Sequence, residues 1–231
     1  EKRLTYLGTN SQVANWSPDG KSVLFATNAK LPFRRWSVLY SVDSEGGLVN
    51  PMPIGAGHNI SYGSSGGVVI GRNTTDAARW KRYRGGMVGV FWIDVDGSGE
   101  FGKLIDLDGN MASPMWVGDR IFFLSDHEGI GNLYSCTLEG EDLRRHTDHE
   151  EYYLRNASTD GKRIVVHAGA EIYIYEPESE QERKAEIEFH SPKVQRNRKF
   201  VDAAKYMESY SLHPKGHSVA IISRGKPFTM G

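Results

Sequence analysis

Five stretches of this chain are variants of one another. WSPDGKSVLFA (16–26), YGSSGGVVIGR (62–72), WVGDRIFFLSD (116–126), STDGKRIVVHA (158–168) and LHPKGHSVAIIS (212–223) each set a Gly-containing turn before a short apolar run. Gly supplies the positive φ that a tight hairpin turn requires, and a run such as Ile164, Val165 and Val166 reads as a strand buried on both faces. Downstream of the first four runs comes another strand: VLYSV (38–42), VFWID (90–94), NLYSC (132–136) and EIYIY (171–175). Tyr40, Trp92, Tyr134 and Tyr173 fall at the same place in it, which means one fixed packing site per unit. A polar turn follows, as in DSEGG, DGSGE and LEGED, and then a more polar strand such as LRRHT. The units recur at roughly 43 to 55 residues, the range of four-stranded propeller blades rather than of helical repeats. Only RNRKFVDAAKYMESY (196–210) reads as a candidate helix.

The fold class that follows is all-β: a β-propeller of four-stranded antiparallel blades, about four of them with part of a fifth. KRLTY (2–6) resembles LRRHT (143–147), so residues 1–7 read as the outer strand of a blade. Blades are then expected at 8–58, 59–110, 111–150 and 151–206, with 207–231 an incomplete one, all within a single propeller segment. An unclosed run leaves a sheet edge and a sheet face unpaired, so the sequence reads as cut from something longer.

Composition narrows the function classes. The chain has 231 residues, enough to bury roughly 70% of its unfolded surface without metals or disulfides. Its 28 Lys and Arg against 29 Asp and Glu leave a net charge of -1, which gives no global field toward nucleic acid. Cys136 is the single cysteine, which excludes an internal disulfide and a multi-cysteine zinc site and fits a reducing compartment. No apolar run approaches the roughly eighteen residues of a membrane span, and the N-terminus lacks the apolar segment of a signal peptide. Neither a membrane nor a nucleic-acid partner is expected, and no cofactor or metal.

Four motifs invite chemistry. GSSGG (63–67) satisfies G-x-S-x-G, which would make Ser65 a nucleophile on a strand-to-helix turn; an apolar strand follows instead, so it reads as a hairpin turn. DVDGSG (94–99) begins like a calcium loop, but its twelfth position is Ile105 where a bidentate Glu is needed, and it too reads as a blade turn. His127, His146 and His149 straddle different strands and turns rather than one helical face, and read as solvated loop histidines. Asp126 in SDHEG is expected to bind backbone amides of its own turn.

The fourth is WKRYRGG (80–86), where Lys81, Arg82 and Arg84 interleave with Trp80 and Tyr83. A nucleic-acid grip would continue the pattern along a groove, and nothing continues it. Arginines can also stack on the rings and bridge a neighbouring blade. A structural or interdomain clamp is the preferred reading, ahead of a channel lining that meets peptide carboxylates.

WSPDGKSVLF, WKRYRGG, MWVGDRIFFLSDHEGIGNLYS and LEGEDLRRHT together resemble the N-terminal six-bladed propeller of the tricorn proteases, over nearly the whole chain. WSPDGK alone marks the wider TolB-like group. The resemblance implies a non-catalytic part of a large cytoplasmic serine peptidase that trims peptides released by the proteasome and assembles as a hexamer. It implies a channel or gate and a scaffold for other domains, with the catalytic Ser and His elsewhere. It also implies that basic residues holding a peptide's terminal carboxylate follow the RLTY strand. Leu7 to Asn15 contains no Arg or Lys, so Arg34 and Arg35 of PFRRW stand as the substitute. The rival reading is a TolB-like module that docks a protein partner. A hydrolase site at the ring's centre would need acidic or His residues on the first strands of several blades, and the strands read above are almost wholly apolar.

Overall fold

Each apolar run enters its sheet through the turn before it. At 17–22 the Ser17 amide donates to the Ser22 carbonyl (2.9 Å), and Gly20 takes φ +69°. The Asp19 carboxylate accepts from Ser17 Oγ (2.6 Å) and the Lys21 amide (3.1 Å), which holds its pKa below the usual carboxylate range. The same chemistry recurs 141 residues on (160 less 19), where Asp160 accepts from the amides of Lys162 (3.0 Å) and Arg163 (2.7 Å). Side-chain acceptors that capture amides two and three residues ahead are what makes a Ser/Thr-x-Asp-Gly string close a hairpin.

The computed structural model describes residues 2–74, 76, 80–194, 196, 200, 202 and 204–231. These fall into two compact units, Glu1–Glu186 and Ile187–Gly231. The first unit holds four antiparallel sheets of four strands, each in sequence order. They are β1 (Ser11–Trp16) to β4 (Asn50–Ala56), with β2 (Ser22–Thr27) and β3 (Val38–Asp43) between; β5 (Asn59–Tyr62), β6 (Val68–Arg72), β7 (Val90–Asp94) and β8 (Gly102–Lys103). Then come β9 (Met111–Val117), β10 (Arg120–Ser125), β11 (Asn132–Thr137) and β12 (Arg144–Arg145), and β13 (Arg155–Thr159), β14 (Ile164–Ala168), β15 (Glu171–Glu176) and β16 (Gln181–Lys184). The first strands of successive sheets lie side by side, β1 with β5, β5 with β9 and β9 with β13. That is a run of β-propeller blades.

Residues on the second strands alternate between the two neighbouring sheets. Ile121 and Phe123 join Phe91 and Ile93 of the sheet before, whereas Phe122 and Leu124 join Ile164 and Val166 of the sheet after. A strand buried on both faces reads as a continuous apolar run because each parity packs against a different neighbour. The fixed aromatics fall in one register: Tyr40 pairs with Phe25, Trp92 with Ile70, Tyr134 with Phe123 and Tyr173 with Val166.

Four expectations need correction. The strand 164–168 is not buried on both faces, since Ile164 is 0% and Val166 1% exposed but Val165 is 40% exposed. The fourth sheet is last in its unit, and on its far face Val165 and Ile172 are both exposed. The apolar runs are second strands, and three of the four first strands before them (SQVANW, NISY, RNAST) are poorer in apolar residues, with only β9 (MASPMWV) fully buried, so the first strands are not almost wholly apolar. The 196–210 segment is not a helix where it is described: a single 3₁₀ turn at Ala204–Tyr206 leads into strand β17 (Met207–Leu212). Pairing with β18 (Val219–Ser223) satisfies its backbone. Residues 195, 197–199, 201 and 203 lie outside the described residues. The second unit adds β19 (Lys226–Met230) to form a three-stranded sheet. Residues 2–7 carry no strand; Leu4 and Leu7 pack on Phe25, Tyr40 and Val42.

His146 staples the third sheet to the fourth. Its Nε2 lies 2.7 Å from Ser135 Oγ on β11 and its Nδ1 2.8 Å from the Tyr175 hydroxyl on β15. Burial, reinforced by the charge of Arg120, pushes its pKa from 6.5 down to about 4. The folded chain keeps the ring neutral where the unfolded chain takes a proton. Stability is therefore fully present above pH 6.5 and declines as the pH falls toward about 4. A denaturant midpoint that falls across this window, with a smaller slope in His146→Gln, is the expected result; identical slopes would refute the assignment.

Candidate functional site

The WKRYRGG stretch connects β6 to β7, and its backbone is tied to the third sheet. Arg82 sits at φ +55° and donates its amide to Asp126 Oδ2 (2.6 Å). Asp126 Oδ1 accepts the Asn110 amide (2.7 Å), while Asn110 Nδ2 donates to the Trp80 carbonyl (2.6 Å). The expectation that Asp126 binds amides of its own turn is thus corrected: it serves amides of two other segments, at Arg82 and Asn110. The side chains reach further. Lys81 Nζ lies 5.0 Å from the centroid of Tyr153, the Trp80 and Tyr83 rings are 5.1 Å apart, and Arg84 pairs with Asp108 at 2.9 Å. Lys81 and Arg84 each have a local protein partner.

Arg34 and Arg35 are placed differently. The loop 28–37 joins β2 to β3, and Asn28 anchors it by donating Nδ2 to the Arg34 carbonyl (3.1 Å). Both arginines line a cavity of about 410 Å³ together with Trp80, which Lys81, Arg82 and Arg84 do not reach. Amide side chains make up much of its wall: Asn10, Gln12, Asn28, Asn73 and Asn110. Asp76, also on the wall, lies 3.6 Å from the Arg155 guanidinium. Among the described residues neither Arg34 nor Arg35 is within ion-pair distance of a carboxylate. Two exposed arginines sharing a wall with neutral amides make a site for an anion that also carries peptide groups, because a carboxamide can both donate to and accept from a main chain.

The amide wall escaped sequence reading. Asn10 and Gln12 lie just before and within β1, Asn28 and Asn73 in the loops after β2 and β6, and Asn110 just before β9, with no shared spacing; only the fold collects them.

The other motifs resolve into turns. Asp94, 3% exposed, accepts from the amides of Gly97 (2.9 Å), Ser98 (3.1 Å) and Gly99 (2.8 Å), so its carboxylate closes the β7–β8 turn. Ser65 lies in the β5–β6 hairpin turn, closed by the Gly63 amide on the Gly67 carbonyl (2.9 Å). The three histidines diverge, and none is the solvated loop side chain expected: each ring is partly buried, with His127 Nδ1 on Ser125 Oγ (2.9 Å), His146 bridging as above, and His149 Nε2 on Glu182 (3.0 Å). Burial pushes the Cys136 thiol up to about 11, which leaves it protonated at neutral pH. Among the described residues no group of three His, Cys, Asp or Glu side chains is placed to hold a metal ion, and no helix is long and apolar enough to cross a membrane.

The profile of the tricorn protease N-terminal beta propeller domain matches residues 1–181. The chain belongs to the tricorn protease family. A tricorn protease homolog of Saccharolobus solfataricus is 42% identical over 230 residues, covering 99% of this chain and 21% of the relative. The tricorn protease of Thermoplasma acidophilum is 39% identical over 98% of the chain and 21% of its own length. A crystal structure of the tricorn protease superposes with a TM-score of 0.84 at 38% identity, covering 99% of this chain and 22% of that one. The chain therefore spans about a fifth of the length of the tricorn relatives it matches and corresponds to their propeller part. TolB from Acinetobacter baumannii matches at TM-score 0.55 and 15% identity over 94% of the chain and 52% of its own, which shows the fold alone. The tricorn reading displaces the TolB-like binding module.

Proposed function

We propose that this chain is the non-catalytic wall of a cytoplasmic, hexameric serine protease that degrades peptides released by the proteasome. It forms a channel or gate, and Arg34 and Arg35 hold the terminal carboxylate of a passing peptide. Lys81, Arg82 and Arg84 clamp the blades and contact neighbouring domains of the same protease. The blades on this reading are 8–58, 59–110, 111–150 and 151–206, with 1–7 and 207–231 belonging to incomplete ones. The observation that carries the function is the pair of unmatched guanidiniums at an amide-lined cavity in a tricorn propeller.

A half-exposed guanidinium–carboxylate contact is worth about 1 kcal/mol, so losing two costs roughly 10- to 100-fold in affinity. In the full-length protein, a double Arg34→Ala, Arg35→Ala variant is expected to weaken binding of short peptide acids by that factor and leave the matching C-terminal amides unchanged. Calorimetry that shows no acid-over-amide preference in the unsubstituted protein would sink the assignment.

A further inference from the structure

We propose that the open hollow beside Arg34 and Arg35 receives an apolar side chain at the peptide's C-terminal residue. This rests on the carboxylate-holding role argued above and adds a specificity to it.

Four observations converge on the hollow. Its wall is Pro32, Phe33, Trp36 and Met87 with Arg34 and Arg35, around a volume of about 520 Å³. Phe33 is 64% and Trp36 50% exposed, and neither belongs to any of the hydrophobic clusters that bind sheet to sheet. Two large aromatics held out of every core, with ring centroids 6.2 Å apart, contribute little to folding. Finally, Arg34, Arg35 and Met87 line both this hollow and the amide-walled cavity, so the two spaces share a border.

That border dictates the occupant. A C-terminal residue carries its carboxylate and its side chain on the same Cα, so a group that grips the carboxylate fixes the side chain about one residue's breadth away. Here that neighbouring space is aromatic and thioether surface. Met87 adds a flexible wall that can adjust to side chains of different shape. Cationic side chains would meet the like charge of Arg34 and Arg35, and glycine would leave the aromatics wet. Leucine and phenylalanine satisfy both halves of the site.

The test uses acetyl-Gly-Gly-X peptides on the full-length protein, with X as Leu, Phe, Ala or Lys, each as free acid and as amide. Covering about 60 Å² more apolar surface than alanine is worth about 1.5 kcal/mol, so the Leu and Phe acids should bind roughly tenfold tighter than the Ala acid. Trp36→Ala, and independently Phe33→Ala, should bring Leu and Phe within about twofold of Ala and keep the acid-over-amide preference. Both positions are exposed, so neither substitution touches a core. If acids are preferred but Leu, Phe and Ala bind alike, the side-chain inference is overturned and the carboxylate role stands. An apolar preference that survives both substitutions also overturns it. If acids and amides bind alike, the carboxylate role falls and this inference with it.

Discussion

Replacing Asp126 by Ala is expected to release the 80–86 stretch from the third sheet at a cost of about 3 kcal/mol. The carboxylate is 1% exposed and accepts the Arg82 amide, the Asn110 amide and, at 3.3 Å, Asn110 Nδ2. Buried donors left without an acceptor cost about 1–3 kcal/mol each, and the removal of one charged acceptor strands at least two. Part of that loss is recovered because the carboxylate no longer has to be desolvated. Asp126→Asn should be no gentle control: whichever way the amide turns, its NH₂ faces one of the two backbone donors. The readout is amide exchange across 80–86 and 108–112, which should quicken by roughly two orders of magnitude in either variant. Local exchange left unchanged would show that the stretch is held by its side chains, through Lys81 on Tyr153 and Arg84 on Asp108, and not by this carboxylate.

The same residue marks the limit of what could be read from the chain. Hairpin turns and second and third strands were legible because their determinants are local: Asp19 and Asp160 capture amides two and three residues away, and the aromatic at Tyr40, Trp92, Tyr134 and Tyr173 repeats with the blade. Asp126 satisfies a donor 44 residues upstream, and no spacing rule announces such a bond. The first strands were missed for a related reason. SQVANW and RNAST pair on one edge and expose polar side chains, so neither a period of two nor a full apolar run appears in them. Arg34 and Arg35 stood out as adjacent cations, but their setting did not, since the amides around them come from several separate segments. Clamp and candidate peptide site looked alike as basic clusters; only partner geometry separates Arg84, paired with Asp108, from the unmatched pair on the cavity.

Phe123→Ala should have the largest effect of any single substitution in the first unit, about 4 kcal/mol. The ring is 0% exposed on β10, edge-on to Phe91 of the preceding sheet (5.2 Å, 66°) and stacked with Tyr134 of its own sheet (6.3 Å). Truncation removes the transfer energy of a phenyl ring, leaves a cavity, and deletes two aromatic contacts; large-to-small changes of this kind cost about 3–5 kcal/mol. The cavity has little means of collapse, because the residues packed with the ring, Phe91, Ile93 and Tyr134 among them, are themselves buried on hydrogen-bonded strands. Phe123→Leu keeps most of the volume and should cost only about 1 kcal/mol. The contrast decides how the blades cohere. Phe123 belongs to the cluster that joins the second sheet to the third, whereas Phe122, its neighbour, belongs to the one that joins the third to the fourth. Exchange protection in Phe123→Ala should therefore fall first in β6, β7 and β10, with β14 and β15 holding longer. Equal loss across all four sheets would mean that the first unit opens as one cooperative block and that the interfaces between blades are not its separable joints.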